Sequence, residues 1–278
     1  MSHIDGITSR QIDKLAAEIS ASESVVILTG AGVSVASGIA PFRKSPNAIW
    51  ERSLTERGTL RYFLEHPVEA WLWYRQRFSG LVDKNPNDAH HAIADLETWC
   101  QNQGIELTLI TQNIDRLHKK AGSSNLIEVH GRSDRARCVQ RGCDFAEPKG
   151  SMARTEILFS AFTDQPSEAT LPRCPQCFSL IRPHVLWFDE TYHSHVDYQY
   201  DLAVQAFERA DLIIAVGTSF SVGITELALQ VAALHGALVW SIDIDRDPNV
   251  EVHEWLIGHA EHLAPALVKN LRTRSPHQ

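Results

Sequence analysis

Four cysteines fall in two close pairs, Cys138-x4-Cys143 and Cys174-Pro-Gln-Cys177, about thirty residues apart. Thiolates at that spacing are ligands that close a tetrahedron around zinc. Protein sulfur would fill all four positions and leave none for water, so the metal, one Zn2+ per chain, is expected to be structural. In a reducing compartment close pairs bind metal more often than they form disulfides. A module of some fifty residues with few large apolar side chains needs such a staple. The fifth cysteine, Cys100, follows "LETW" in a helical pattern and reads as a small buried hydrophobe.

A second chemically specific stretch is "LTGAGVSVASGIAPFR", Leu28 to Arg43. Its glycines are Gly30, Gly32 and Gly38, and Val35 stands where a G-x-G-x-x-G fingerprint needs its third glycine. By itself the turn reads either as a nucleotide-binding turn or as a plain strand-to-helix connection.

The elements that would position these residues are short apolar runs alternating with helical segments. The runs are "VVILTG" (25–30), "ELTLITQN" (106–113), "LIEVHG" (126–131), "DLIIAVGTS" (211–219) and "ALVWSIDID" (237–245). Each is apolar on both faces, the mark of a parallel sheet covered on both sides. In such α/β sheets ligands bind beyond the carboxyl ends of the strands. The polar residues there are Gly30–Gly32, Gln112–Asp115, His130, Gly217–Ser219 and Asp243. The expected fold is α/β: a doubly wound, Rossmann-like parallel-sheet domain from residues 1–43, 85–130 and 185–278. Residues 44–84 and 131–184 break the alternation and are expected to form a small helical and zinc-binding module.

The 278 residues carry 44% apolar and 22% charged side chains, enough for an ordinary core, and a net charge of −8. No Lys/Arg-dense run appears, which disfavours nucleic acid as a direct partner. No apolar window approaches the ~18 residues of a membrane span, and the start "MSHIDGITSR" lacks a signal pattern. A cytoplasmic location is therefore expected. The oligomeric state stays open.

The ordered set "GAGVSVASGIAPFR" (30–43), "TQNIDRLH" (111–118), "EVHGR" (128–132), the two cysteine pairs, "IRPHVLWFDE" (181–190) and "GTSFSVG" (217–223) resembles the sirtuin family of NAD-dependent protein lysine deacylases. The resemblance runs from about residue 20 to about residue 270. It implies that Gly30, Ala31, Gly32, Ser34, Phe42 and Arg43 hold the NAD pyrophosphate and nicotinamide side. It further implies that Asn113 orients the nicotinamide ribose and reactive water, Asp115 takes the carboxamide, and Gln112 contacts ribose. Gly217, Thr218 and Ser219 would approach the adenine-side ribose and phosphates. His130 aligns with the family's catalytic histidine, and His118 looks structural. An acyl-lysine of a protein substrate would lie between the segments 185–190 and 219–226, walled by Val185, Trp187 and Phe188.

Tyr74 and Arg77 in "PVEAWLWYRQRF" lie three apart on one helix face. A Tyr-x-x-Arg at this place marks the branch of the family that removes malonyl, succinyl and similar acidic acyl groups, whose distal carboxylate a phenol and a guanidinium can bind. The chain departs from the family's usual pattern at Pro41, where Asp is common, and at "SIDID", where Asp243 replaces an asparagine that holds the adenosine ribose. Two rivals share the site: ADP-ribosyl transfer or NAD hydrolysis, and an NAD-sensing module without turnover.

Overall fold

A computed structural model describes residues 6–40, 52–157 and 159–274. Five runs rich in Val, Ile and Leu become parallel strands: β1 Ser24–Thr29, β2 Glu106–Thr111, β3 Leu126–Glu128, β7 Leu212–Val216 and β8 Leu238–Asp243. A sixth, β9 Glu254–Ile257, adds to β8 in parallel register from Trp240 against Glu254 to Asp243 against Ile257. Sequence patterning does not single out β9, because four residues with one polar end carry too little periodicity. The strand order is β3-β2-β1-β7-β8-β9. This is the doubly wound dinucleotide-binding order, whose topological switch point falls between β1 and β7.

Helices cover both faces. On one, α1 (Gly6–Ala21), α5 (Asp88–Gln103) and α10 (Ala260–Arg274) bury Leu15, Ile19, Leu96 and Leu267 against Ile27, Leu109 and Trp240. Cys100 is part of this core, as its setting in the sequence implies. On the other, α8 (Tyr200–Arg209) and α9 (Gly223–His235) bury Phe207, Ile224 and Ala228 against Val26, Leu28 and Ile110. The short α6 (Leu117–Ala121) links β2 to β3.

A separate antiparallel sheet of order β5-β4-β6 is built from β4 Gly131–Cys138, β5 Met152–Ala153 and β6 Ile181–Val185. Around it stand α2 (Arg52–Arg57), α3 (Leu60–Glu65), α4 (Pro67–Phe78) and α7 (Ser160–Asp164). Phe63, Trp71, Phe162 and Ile181 form its core, and the Trp71 indole N–H donates to the Ile181 carbonyl at 2.8 Å. That bond ties α4 to β6.

Candidate active site

At the switch point two turns meet backbone to backbone. Gly30 N–H donates to the Val216 carbonyl at 3.1 Å, and Gly32 N–H to the Gly217 carbonyl at 2.8 Å. A Cβ on Gly30 would lie 2.7 Å from the Gly217 oxygen, and one on Gly32 2.6 Å from Gly217 Cα. These glycines are therefore demanded by chain packing against chain, a constraint the sequence does not express. Gly217 itself has φ +59, a left-handed backbone that favours glycine. From Ala31 the chain enters a short 3-10 helix that ends at Ser37. Phe42 and Arg43 lie outside the described residues.

A buried polar cluster sits beneath this turn. Ser34 Oγ donates to Asp115 Oδ2 at 2.7 Å, and Asn113 Nδ2 donates to Ser34 Oγ at 3.2 Å and to the Gly30 carbonyl at 2.9 Å. Asp115 Oδ1 accepts from Leu117 N–H at 2.9 Å, so this carboxylate also caps α6. Burial pushes its carboxyl up, against the pull of those two donors. Gln112 spans the strand ends, its amide donating to Thr218 Oγ1 at 3.0 Å. His118 is buried and sits 3.0 Å from Thr29 Oγ1, a structural role as expected. His90 packs against it, ring centroids 4.7 Å apart, and lies 3.4 Å from Ser34 Oγ. Reading the sequence missed His90. Its only signal is a place among apolar residues in "DAHHAIADL", the start of α5.

His130 follows β3 at the mouth of this cluster. Its Nδ1 lies 2.9 Å from the Gln112 carbonyl, which only a protonated Nδ1 can satisfy. Nε2 is then the basic lone pair, 3.2 Å from the Tyr192 hydroxyl. Burial drives the His130 pKa down to about 4, and the Gln112 carbonyl opposes this. The ring is thus a neutral base throughout the physiological range. Ser219 lies beyond Thr218, its Oγ 2.6 Å from Ser221 Oγ, and Asp243 ends β8.

The expected walls of the acyl-lysine site divide. Val185 and Trp187 face inward as core of the small module, Trp187 packing on Phe63 at 5.3 Å and lying under the Arg182 guanidinium at 3.6 Å. Phe188 is 54% exposed. Phe188 stands at the turn that follows β6, closed by the Glu190 N–H donating to the Trp187 carbonyl at 3.0 Å. The segment is braced by buried Glu190, which accepts from Arg182 at 2.6 and 2.7 Å and from Arg137 at 2.7 Å. Leu186 N–H donates to the His130 carbonyl at 2.9 Å, joining this brace to the base. Tyr74 is buried among Trp71 and Phe78, with no hydrogen-bond partner for its hydroxyl among the described residues. Arg77 is half-buried, its guanidinium 5.6 Å from the Trp73 ring.

The four cysteine sulfurs lie within 4.8 Å of one another. Cys138 and Cys177 sulfurs are 3.4 Å apart, and those of Cys143 and Cys174 3.6 Å. The edge of a zinc–thiolate tetrahedron with ~2.3 Å bonds is ~3.8 Å, so the residues fit the metal. A second group of metal-ligand types, His184, His195 and Asp197, does not. The two His195 nitrogens are engaged by the Asp197 N–H and the Gly150 carbonyl, and Asp197 lies between His184 and Arg132.

Buried and half-buried neutral histidines make stability depend on acid. His90, His130 and His184 each have their pKa lowered to about 4, chiefly by burial. The unfolded chain takes up these protons near 6.5 and the folded chain near 4, so stability is complete above 6.5 and falls as pH drops between those values. Each ring contributes up to about 3 kcal/mol of loss. The raised carboxyls of Asp115 and Glu128 act in the opposite sense. The expected result is a urea midpoint that falls steadily from about pH 7 to about pH 4.5. A flat midpoint over that range would contradict the assignment.

These features define a class: a doubly wound α/β protein with a dinucleotide cradle at its switch point, a neutral histidine beside it and a four-cysteine metal module. Residues 30–223 match the sequence profile described as the Sir2 family. An NAD-dependent protein deacylase of Pyrococcus abyssi is 31% identical over 264 residues, covering 94% of this chain and 98% of that protein. A solved Sir2 homolog–NAD complex matches with TM-score 0.77 and 35% identity over 98% of this chain and 96% of the other. A Sir2–p53 peptide–NAD+ structure matches with TM-score 0.75 and 27% identity, over 92% and 96% of the two chains. The chain belongs to the Sir2 family.

Proposed function

We propose that this protein is an NAD-dependent protein lysine deacylase that favours acidic acyl groups and leaves the acyl group on ADP-ribose. The observation that carries the reading is the neutral imidazole of His130, with Nε2 as its base, at the edge of a turn whose glycines stack on Gly217. NAD supplies a ribose carbon from which nicotinamide departs, and a ribose hydroxyl that receives the acyl group. His130 takes the proton of that hydroxyl on Nε2, the lone pair left free because Nδ1 donates to the Gln112 carbonyl. Asn113 and Asp115 hold the nicotinamide end in a fixed frame, because Ser34 ties them together. Gln112, Thr218, Ser219 and Asp243 face the remaining ribose and phosphate groups. The protein substrate enters between residues 185–190 and 219–226, where main-chain pairing reads no sequence in particular.

Acyl preference rests on Tyr74 and Arg77. A buried hydroxyl without a partner costs roughly 1–3 kcal/mol, which a carboxylate acceptor would offset. Burial pushes the Tyr74 phenol up, and the positive charge of Arg154 pulls against it. The test is O-acyl-ADP-ribose formation on acetyl-, malonyl-, succinyl- and glutaryl-lysine peptides. The expected kcat/KM is higher for succinyl than for acetyl peptide. Arg77→Met lowers that ratio by about tenfold or more, the value of one charge-assisted bond. An unchanged ratio would remove Arg77 from the acyl site. Absence of any acyl-ADP-ribose would remove the deacylase reading itself.

A further inference from the structure

The hydroxyl of Tyr192 sits between His130 and the first turn of α9. It lies 3.2 Å from His130 Nε2 and accepts the Ile224 N–H at 3.2 Å. Ile224 is in the first turn of α9, where backbone N–H groups have no helical acceptor, so the phenol also caps that helix. With its oxygen occupied by that amide, the phenolic proton is free to point at the Nε2 lone pair. The ring is held in place from behind by Tyr200, stacked at 5.0 Å and 15°, and lies nearly parallel to the imidazole at 25°. Burial pushes the Tyr192 phenol up to about 12, so it remains a donor.

We propose that Tyr192 is a positioning residue for acyl transfer: its hydroxyl fixes the direction of the His130 lone pair and yields that place to the incoming ribose hydroxyl. This rests on the deacylase reading above. The Gln112 carbonyl alone is one hinge about which the imidazole can turn, and the phenol supplies the second point. In the step, the ribose O–H proton would pass to Nε2 and the oxygen electron pair would form the bond to the acyl carbon. The bond from that carbon to the lysine nitrogen would break with its pair leaving on the amine, which takes up a proton, and the phenol keeps its own proton. Because its acceptor bond comes from Ile224, peptide seated against residues 219–223 acts on the same hydroxyl that orients the base.

The groups packed against the imidazole are the Gln112 carbonyl and the Tyr192 phenol, with Tyr200 of α8 and Glu226 of α9 behind the phenol. A donor to Nε2 stabilises the neutral ring, so its removal raises the His130 pKa. The experiment is Tyr192→Phe, which keeps the stacked ring. Expected is an upward move of the acid limb of kcat/KM by about half a pH unit or more. The kcat for O-acyl-ADP-ribose formation falls about tenfold, a fraction of what a general base contributes. Nicotinamide exchange, which precedes the base's work, is expected to change less than about twofold. NMR titration of the His130 ring in the enzyme without ligands reads the same pKa change without requiring activity. Fluorotyrosine at position 192, a stronger donor of the same shape, is expected to move that pKa downward. An unmoved His130 titration in both variants overturns the proposal, whether or not the enzyme deacylates. So does an equal fall of both steps with unchanged pH limbs, which would mean a purely structural role.

Discussion

His130→Ala is expected to lower the rate of O-acyl-ADP-ribose formation by about 10²–10⁴-fold, the contribution of a positioned general base. The fold should survive the change. His130 is carried on the segment leaving β3, and its carbonyl, which accepts from Leu186, is retained in alanine. NAD binding, measured by calorimetry, should stay within a few-fold of the parent, because the proposed cradle residues Gly30, Gly32, Gly217, Asn113 and Asp115 are unaltered. The variant should also lose part of the acid sensitivity of stability, since one buried neutral ring is gone and less proton uptake accompanies unfolding. These readouts separate a lost base from a damaged fold. Acyl transfer within tenfold of the parent would refute the assigned role of His130.

Removal of zinc is expected to have the other large effect. The small sheet has one strand of only two residues, Met152–Ala153, and two register segments between β4 and β6 interrupted at Gly131/Ala136. Such a sheet holds few ladder bonds, so the module is expected to draw stability from the metal as well as from its core of Phe63, Trp71 and Phe162. Structural zinc supplies about 10–16 kcal/mol of apparent binding free energy in small domains, which is then folding free energy. Cys177→Ser, or prolonged chelation, should take bound zinc from one equivalent per chain to less than a tenth. Amide protection should collapse over β4 and β6 and persist in β1, β2 and β7. Activity should vanish with it, because Gly131 opens β4 directly after His130 and β6 leads into the Leu186–His130 bond. Purified, active protein with four titratable thiols at 138, 143, 174 and 177 would contradict the zinc assignment.

The parallel sheet was legible in the chain because each of its long strands is a mainly apolar run, buried on both faces in the folded protein. The polar positions past those runs were legible for the same reason. Gln112, Asn113, Asp115, His130, Thr218 and Asp243 stand where the apolar pattern stops. The cysteine pairs declared themselves by spacing alone, and their sulfurs do converge. Less of the small sheet could be read. Its strands are antiparallel, broken in register and laced with arginine, and the buried Arg137 and Arg182 meet a common carboxylate, Glu190, that lies outside the sheet.

What local sequence by itself determined, then, is where strands end, which glycines interrupt them, and which polar residues follow. Periodicity and spacing are properties of neighbours along the chain, so they suffice for that. Tertiary structure alone decided which glycine faces which backbone, that Val185 and Trp187 turn inward while Phe188 turns out, and that a phenol sixty-two residues from His130 stands on its basic nitrogen. Those relations depend on how sheets and loops pack across long stretches of chain, and no local pattern carries that information.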